Sequence, residues 1–268
     1  MSRKMLSSEL DDLSSRLEQA EKQQQSIQAL TDIISNLTID EAYQIQMSNI
    51  QKKVEQGHWV VGKKIGLTSI AMQELLGVNE PDYGHLLNTM VIENDGEIPP
   101  YRVLQPKVEG EVAFILKEEL RGPAITVEDV IKATGSVVTA IEIVDSRISD
   151  WKINLPDTIA DNASSGLYVL SDNATSIQEV NLPEVNMELF KNGERVNTGK
   201  GSAAMGNPAK CVAWLANKLA QYDISLKKDE VILSGALSAA VNAEPGDEFL
   251  VRIDQLGEAS IRFSNKST

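Results

Sequence analysis

The sequence predicts an α+β protein in which a helical N-terminal region leads into a β-rich body, and three observations carry that prediction. Leucines recur at helical spacing near the start. From His58 onward, short apolar runs of β character alternate with Gly, Pro, Asn and Asp, and two further helical patterns interrupt them. With 268 residues and 42% hydrophobic content, the chain can bury a full core without covalent staples.

The first helix is marked by Leu6, Leu10, Leu13, Leu17 and Ala20, which leave one apolar stripe among polar neighbours. A second begins at Thr38, where Thr38 and Glu41 have capping-box spacing and Tyr43, Met47, Ile50 and Val54 mark one face. Both stripes are expected to pack against the main body, while the polar stretch from Lys22 to Gln28 also suits a solvated helix or a partner-binding arm. Strands are expected at 58–65, 108–116, 136–145, 166–171, 185–190, 230–234, 248–253 and 258–263. A short helix is expected from about Val127 to Lys132, with Thr126 and Asp129 placed for a capping box. Another starts at Asn207-Pro208 and buries Val212, Leu215, Ala216 and Leu219.

The net charge of −14 would repel a nucleic acid or an anionic membrane at long range, so neither is expected as a partner. No apolar run reaches the roughly 20 residues that span a bilayer, and the opening segment turns acidic and polar where a signal peptide would turn apolar. The single cysteine, Cys211, excludes an intrachain disulfide and reads as a core residue of the last helix. A cytoplasmic location fits these features. His58 and His85 have neither metal-ligand spacing nor a neighbouring nucleophile, so both are expected at a surface or an interface. No phosphate-binding glycine loop is present, which argues against a nucleotide cofactor.

Two acidic patterns carry the chemistry. In Lys107-Val108-Glu109-Gly110-Glu111-Val112-Ala113-Phe114-Ile115-Leu116, the period of two puts Glu109 and Glu111 on one face, continued by Ala113 and Ile115. Val108, Val112 and Phe114 line the other, so the strand reads as buried on both sides and its carboxylates need a cation, a proton or donors. Glu142 lies in the middle of a second apolar run, Val137 to Val144, an expensive place for a charge without a purpose. Three carboxylates without a His/Cys cluster suit a hard octahedral cation, Mg²⁺ or Mn²⁺. Taken alone, Glu109 and Glu111 read as readily as a solvated strand face paired with lysines. Spacing does not show that the two strands are neighbours.

The stretches QPKVEGEVAFILKEELRGP, IEIVDSRISDWKINLPDTIADNASSGLYVL, VVGKKIGLTS and EPDYGHLL resemble the 2-oxopent-4-enoate hydratases of meta-cleavage pathways for aromatic compounds and the sister 4-oxalocrotonate decarboxylases, over about Leu10 to Phe263. The resemblance implies a fumarylacetoacetase-like fold, a mixed β-roll. It divides the chain into a helical N-terminal region at 1–75, packed on the body, and a catalytic domain at 76–268. It implies that Glu109, Glu111 and Glu142 bind the metal, that Lys64 in GKKIGLTS faces the substrate, and that Asp82 in EPDYG handles protons. By the residues alone, Lys64 also reads as a solvated strand end and Asp82 as part of a Pro-Asp-x-Gly turn. Leu67 and Thr68 are implied as substrate contacts beside Lys64. Ser164 in DNASSG offers a donor to a substrate oxygen, while Asp161 and Asn162 equally suit a turn.

The activity implied is hydration of 2-hydroxypenta-2,4-dienoate to 4-hydroxy-2-oxopentanoate. The segment SRISDWKI followed by DTIADNASSGLYVL looks closer to the hydratases. A 4-oxalocrotonate decarboxylase is the near alternative, because stabilising an enolate serves loss of CO₂ as well. The N-terminal RLEQAEKQQ resembles the hydratases of 2-oxohept-3-ene-1,7-dioate, whose second carboxylate would want another cationic contact. A rival of another class is a non-catalytic interaction protein stabilised by its metal. The expected partners are a small 2-oxo or 2-hydroxydienoic acid, further copies in a homo-oligomer, and the decarboxylase in a complex.

Overall fold

The computed structural model describes residues 6–75 and 77–265. Three helices open it, α1 (Ser7–Gln23), the single turn α2 (Leu30–Ile33) and α3 (Ile39–Glu55). Thr38 caps α3 with the reciprocal Glu41 bond expected from its spacing, and Leu13, Leu17 and Ala20 of α1 are buried. The expected stripe on α3 is only half right: Tyr43 and Ile50 are buried, but Met47 and Val54 are exposed, and Ala42, Ile45 and Gln46 are buried instead. The helix is gripped on two sides, by α1 through Ser14 to Asn49 and by the body, where the Gln46 amide donates to the carbonyls of Tyr83 and Ile159. A two-sided contact rotates and widens the buried arc beyond a single stripe.

The body follows as β1 (Val60–Gly66), α4 (Ile70–Leu75), β2 (Asp82–Leu87), β3 (Val91–Ile92), β4 (Gly96–Ile98), β5 (Pro106–Leu116), α5 (Val127–Ala133) and β6 (Thr134–Asp145). Then come α6 (Leu155–Ala160), β7 (Ser165–Leu170), β8 (Asn186–Lys191), β9 (Glu194–Lys200), α7 (Pro208–Leu219), β10 (Val231–Leu233), β11 (Val241–Asn242), β12 (Glu248–Ile253) and β13 (Gly257–Phe263). All eight strands expected from the sequence are present, and α5 and α7 begin behind Thr126 and Asn207 as expected. Cys211 and the four expected α7 residues are buried.

The larger sheet runs β2-β1-β10-β5-β6-β7-β3, with β11 also on β5, and the smaller runs β4-β13-β12-β8-β9. Although β2 and β3 lie at opposite ends of that order, only Asn88 to Met90 separate them. In this connection Asn88 N donates to Trp59 O before β1, and Tyr168 N of β7 donates to Met90 O. The large sheet therefore curls until its ends meet, a roll with an inner and an outer face. Val60–Gly66, though it follows the N-terminal helices directly, is an integral strand of that roll.

Alternation sorts the side chains. On the outer face, Val108, Val112, Phe114, Ile141 and Ile143 join one continuous core with the small sheet and the helices. Gly110 faces the same way, and a Cβ there would lie 2.9 Å from Val251 Cγ1 and 3.2 Å from Met187 Sδ, so the second sheet seats directly on this glycine. Inside the roll, Leu86, Ala113, Val138, Ala140, Tyr168 and Leu233 belong to a separate apolar cluster.

Candidate metal centre

The acids stand on that inner face. β5 and β6 pair antiparallel with Glu109 directly opposite Glu142, and Glu111 lies two residues along β5. Carboxylate oxygens of Glu109, Glu111 and Glu142 all fall within 4.8 Å of one another. Glu111 and Glu142 are buried, while Glu109 retains some exposure. Like charges opposite one another on a sheet repel, and burial compounds the penalty. Burial and then the Glu142 charge push the Glu109 carboxyl up to about 7, and they raise Glu111 well above the carboxylate range, with Glu109 adding to the effect.

Only part of this charge is satisfied within the chain. Gly235 N donates to Glu111 Oε2 at 2.8 Å, whereas Glu111 Oε1 and both oxygens of Glu142 have no hydrogen-bond partner among the described residues. Lys64, on β1, approaches Glu142 Oε1 to 3.2 Å as an ion pair without hydrogen-bond alignment, and its ammonium donates to Ala163 O at 2.9 Å. Burial disfavours the Lys64 ammonium, but Glu142, Asp82, Glu109 and Glu111 together raise its pKa above the ordinary lysine value. One ammonium cannot neutralise this set. Buried carboxylate oxygens converging on one point, with no histidine or thiolate among them, fit a hard divalent cation.

The other expected residues gather around the same end of the roll. Asp82 sits opposite Gly66, where a Cβ would come within 2.2 Å of Asp82 Oδ1, so the glycine gives the carboxylate room to lie toward Lys64. Asp82 is buried, Oδ1 has no partner, and burial raises its pKa although Lys64 pulls the other way. Thr158 Oγ1 reaches Asp82 Oδ2 at 3.5 Å and lies 3.2 Å from Ser164 Oγ, which makes a chain of hydroxyls beside the acid. Thr68 packs directly against Gly235, whose amide serves Glu111. Leu67 turns the chain out of β1 with φ 56°, and its carbonyl accepts from Gln73.

Asp82 is the first residue of β2 and not a turn residue. His85 is also corrected. It is 4% exposed, its Nδ1 is 3.1 Å from Gln46 Oε1, and because the Gln46 amide nitrogen serves two carbonyls, that oxygen must accept from the imidazole. The sequence reading missed Gly235, Ala163 and Thr158. The first two contribute backbone groups, which no side-chain pattern marks, while Thr158 lies inside the quoted motif DTIADNASSG.

A curled sheet carrying a cluster of carboxylates and a buried lysine defines a class of small-molecule enzymes built around a divalent cation. The chain belongs to the fumarylacetoacetate (FAA) hydrolase family, whose C-terminal-region model matches residues 78–264. It is 45% identical over 218 residues to a 2-hydroxypent-2,4-dienoate hydratase of Pseudomonas putida, covering 81% of this chain and 98% of that one. A 2-hydroxyhexa-2,4-dienoate hydratase of Comamonas testosteroni is 42% identical over 251 residues, 93% of this chain and 95% of the other. Among solved structures, 4-oxalocrotonate decarboxylase from Pseudomonas putida G7, complexed with magnesium and adipate, superposes with a TM-score of 0.95 at 34% identity, covering 98% of this chain and 100% of that one.

Proposed function

We propose that this chain is a metal-dependent hydro-lyase that adds water to 2-hydroxypenta-2,4-dienoate, giving 4-hydroxy-2-oxopentanoate, in the meta-cleavage breakdown of aromatic compounds. The observation that carries the reading is the convergence of Glu109, Glu111 and Glu142 within 4.8 Å beside Lys64, with buried oxygens left unpartnered. These three residues would hold Mg²⁺ or Mn²⁺, which would supply Lewis acidity at the 2-oxo acid end of the substrate.

The chain's own groups account for the rest. An ammonium has three donors. Those of Lys64 not taken by Ala163 O are available to stabilise negative charge developing on the C2 oxygen. Moving the enol proton to C5 gives a conjugated 2-oxo acid, and water then adds at C4, so the net change is one water. Asp82, its pKa raised by burial, can hold the proton in transit, with Thr158 and Ser164 as hydroxyl neighbours. Ser164, Leu67 and Thr68 shape the surroundings of the reacting atoms.

Hydration is favoured over decarboxylation because the identities of 42–45% fall to hydratases, against 34% for the decarboxylase. Alongside it we propose a cytoplasmic homo-oligomer able to associate with a decarboxylase partner. The deciding experiment follows the ultraviolet absorbance of 2-hydroxypenta-2,4-dienoate with Mg²⁺ or Mn²⁺, with and without chelator, and identifies the product. Metal-dependent loss of the dienol and appearance of 4-hydroxy-2-oxopentanoate is the expected result. Release of CO₂ from oxalocrotonate without hydration of the dienoate would overturn it. Replacing Asp82 by Asn should lower turnover with metal binding intact; unchanged turnover would pass the proton to another group.

A further inference from the structure

Three consecutive non-glycine residues, Asn162, Ala163 and Ser164, have positive φ angles of 56°, 51° and 52°. Such backbone persists only where its surroundings over-determine it. Here one side chain meets both of its ends. The buried guanidinium of Arg147 donates to the carbonyls on both sides of the tripeptide, from Nη2 to Asp161 O and from Nη1 to Ser165 O at 3.0 Å. Nη1 also reaches Asp145 O at 2.6 Å, and the Asp161 carboxylate accepts from Arg147 N, Arg147 Nε and Ser146 Oγ. From the other side, the Asn162 side chain exchanges two hydrogen bonds with the backbone of His85 in β2.

The far side of the same tripeptide faces the site. Ala163 O is the acceptor that anchors Lys64 Nζ at 2.9 Å, and Ser164 Oγ is the hydroxyl 3.2 Å from Thr158. We infer that Arg147 is a positioning residue for the reaction: by clamping the carbonyls at both ends of residues 162–164, it fixes the Ala163 carbonyl against Lys64 and the Ser164 hydroxyl beside Thr158. A planar fork spans two carbonyls in a fixed geometry. A lysine at this position would keep the charge against Asp161 and lose the span. The inference rests on the reading of Lys64 and Ser164 as working groups.

Its test compares the full-length wild type with Arg147→Lys and with the double variant R147Q/D161N, which removes both buried charges together and leaves neither unpaired. Mg²⁺ affinity and thermal melting establish that each variant is folded with its acids in place. With 2-hydroxypenta-2,4-dienoate as substrate, displacement of the Lys64 anchor by about an ångström should lower kcat about a hundredfold, with KM and Mg²⁺ affinity changed by less than about threefold, since the clamp meets β6 only at its last residue, Asp145, and bonds none of the acids. A purely structural role would lower the melting temperature and leave kcat per folded molecule unchanged, which would overturn the inference. Crystal structures of the variants give the second readout, in which the Ala163 carbonyl should leave Lys64. A tripeptide that keeps its conformation and its Lys64 contact in both variants refutes the clamp whatever the activity. If the wild type fails to turn over the dienoate, the proposed hydration fails, and these structures still decide the clamp.

Discussion

Two buried clusters of charge flank the segment 161–164, and they are satisfied to opposite degrees. Around Arg147 and Asp161 the guanidinium and the carboxylate are met by side-chain and backbone groups between Asp145, the end of β6, and Ser165, the start of β7. Around Glu142 three carboxylates and one ammonium share a space in which Glu111 Oε1 and both Glu142 oxygens have no hydrogen-bond partner. The first arrangement is complete as the chain folds it. The second is complete only with a ligand, because buried charge without partners costs several kcal/mol. The same residue types thus serve as scaffold or as site according to whether the chain supplies all of their partners.

The largest effect separates the clusters by function. Glu142→Gln should lower metal-dependent turnover at least a thousandfold, about 4 kcal/mol of lost transition-state stabilisation, while the metal-free protein melts no lower than wild type because the change relieves repulsion. A steady-state assay paired with a melting curve checks both halves. Removing one partner of the satisfied cluster should do the reverse: Asp161→Ala, which leaves Arg147 buried and unpaired, should cost about 3–5 kcal/mol in urea denaturation. Equal destabilisation by the two substitutions would break the comparison.

Metal should stabilise the unsatisfied cluster alone. At a Mg²⁺ concentration a hundredfold above its dissociation constant, unfolding should become harder by about 2.7 kcal/mol. Chelator should remove that gain, as should replacement of Glu109 and Glu111 by Gln. His85 provides the last test, a buried neutral group on β2 that belongs to neither cluster. Burial, and then the Lys63 charge, lower its pKa from 6.5 to about 3. The unfolded chain therefore takes up a proton that the folded chain refuses. Stability should fall as pH drops through that window, by at most about 1.4 kcal/mol per pH unit, with no contribution above it. Comparing denaturation of wild type and His85→Gln across that range isolates the slope.

The sequence made much of this legible. The period of two in β5 put Glu109 and Glu111 on one face, and the apolar run of β6 made Glu142 conspicuous. Register was not legible, because no local pattern states that Glu109 faces Glu142. β2 escaped notice because Pro81-Asp82-Tyr83-Gly84 has turn composition, although all six residues of the strand are buried. β9 escaped for the opposite reason: its residues are polar and largely exposed on a sheet edge, so no alternation marks it. His85 was expected outside and lies inside, and no local pattern marks this because Gln46, which meets its ring, is a helix residue 39 positions away.

Gly110 has a bearing on how such a protein can diversify. Because it touches Val251 and Met187 of the second sheet while its neighbours Glu109 and Glu111 face the roll, any residue larger than glycine there would push the acids as well as the seam. The strand that carries the ligands is therefore a poor place for innovation. The loops that reach the same centre from outside the sheets, the clamped segment 161–164 excepted, are free of that double duty. New substrates are most readily acquired by rewriting those loops around an ancestral, nearly immovable set of acids.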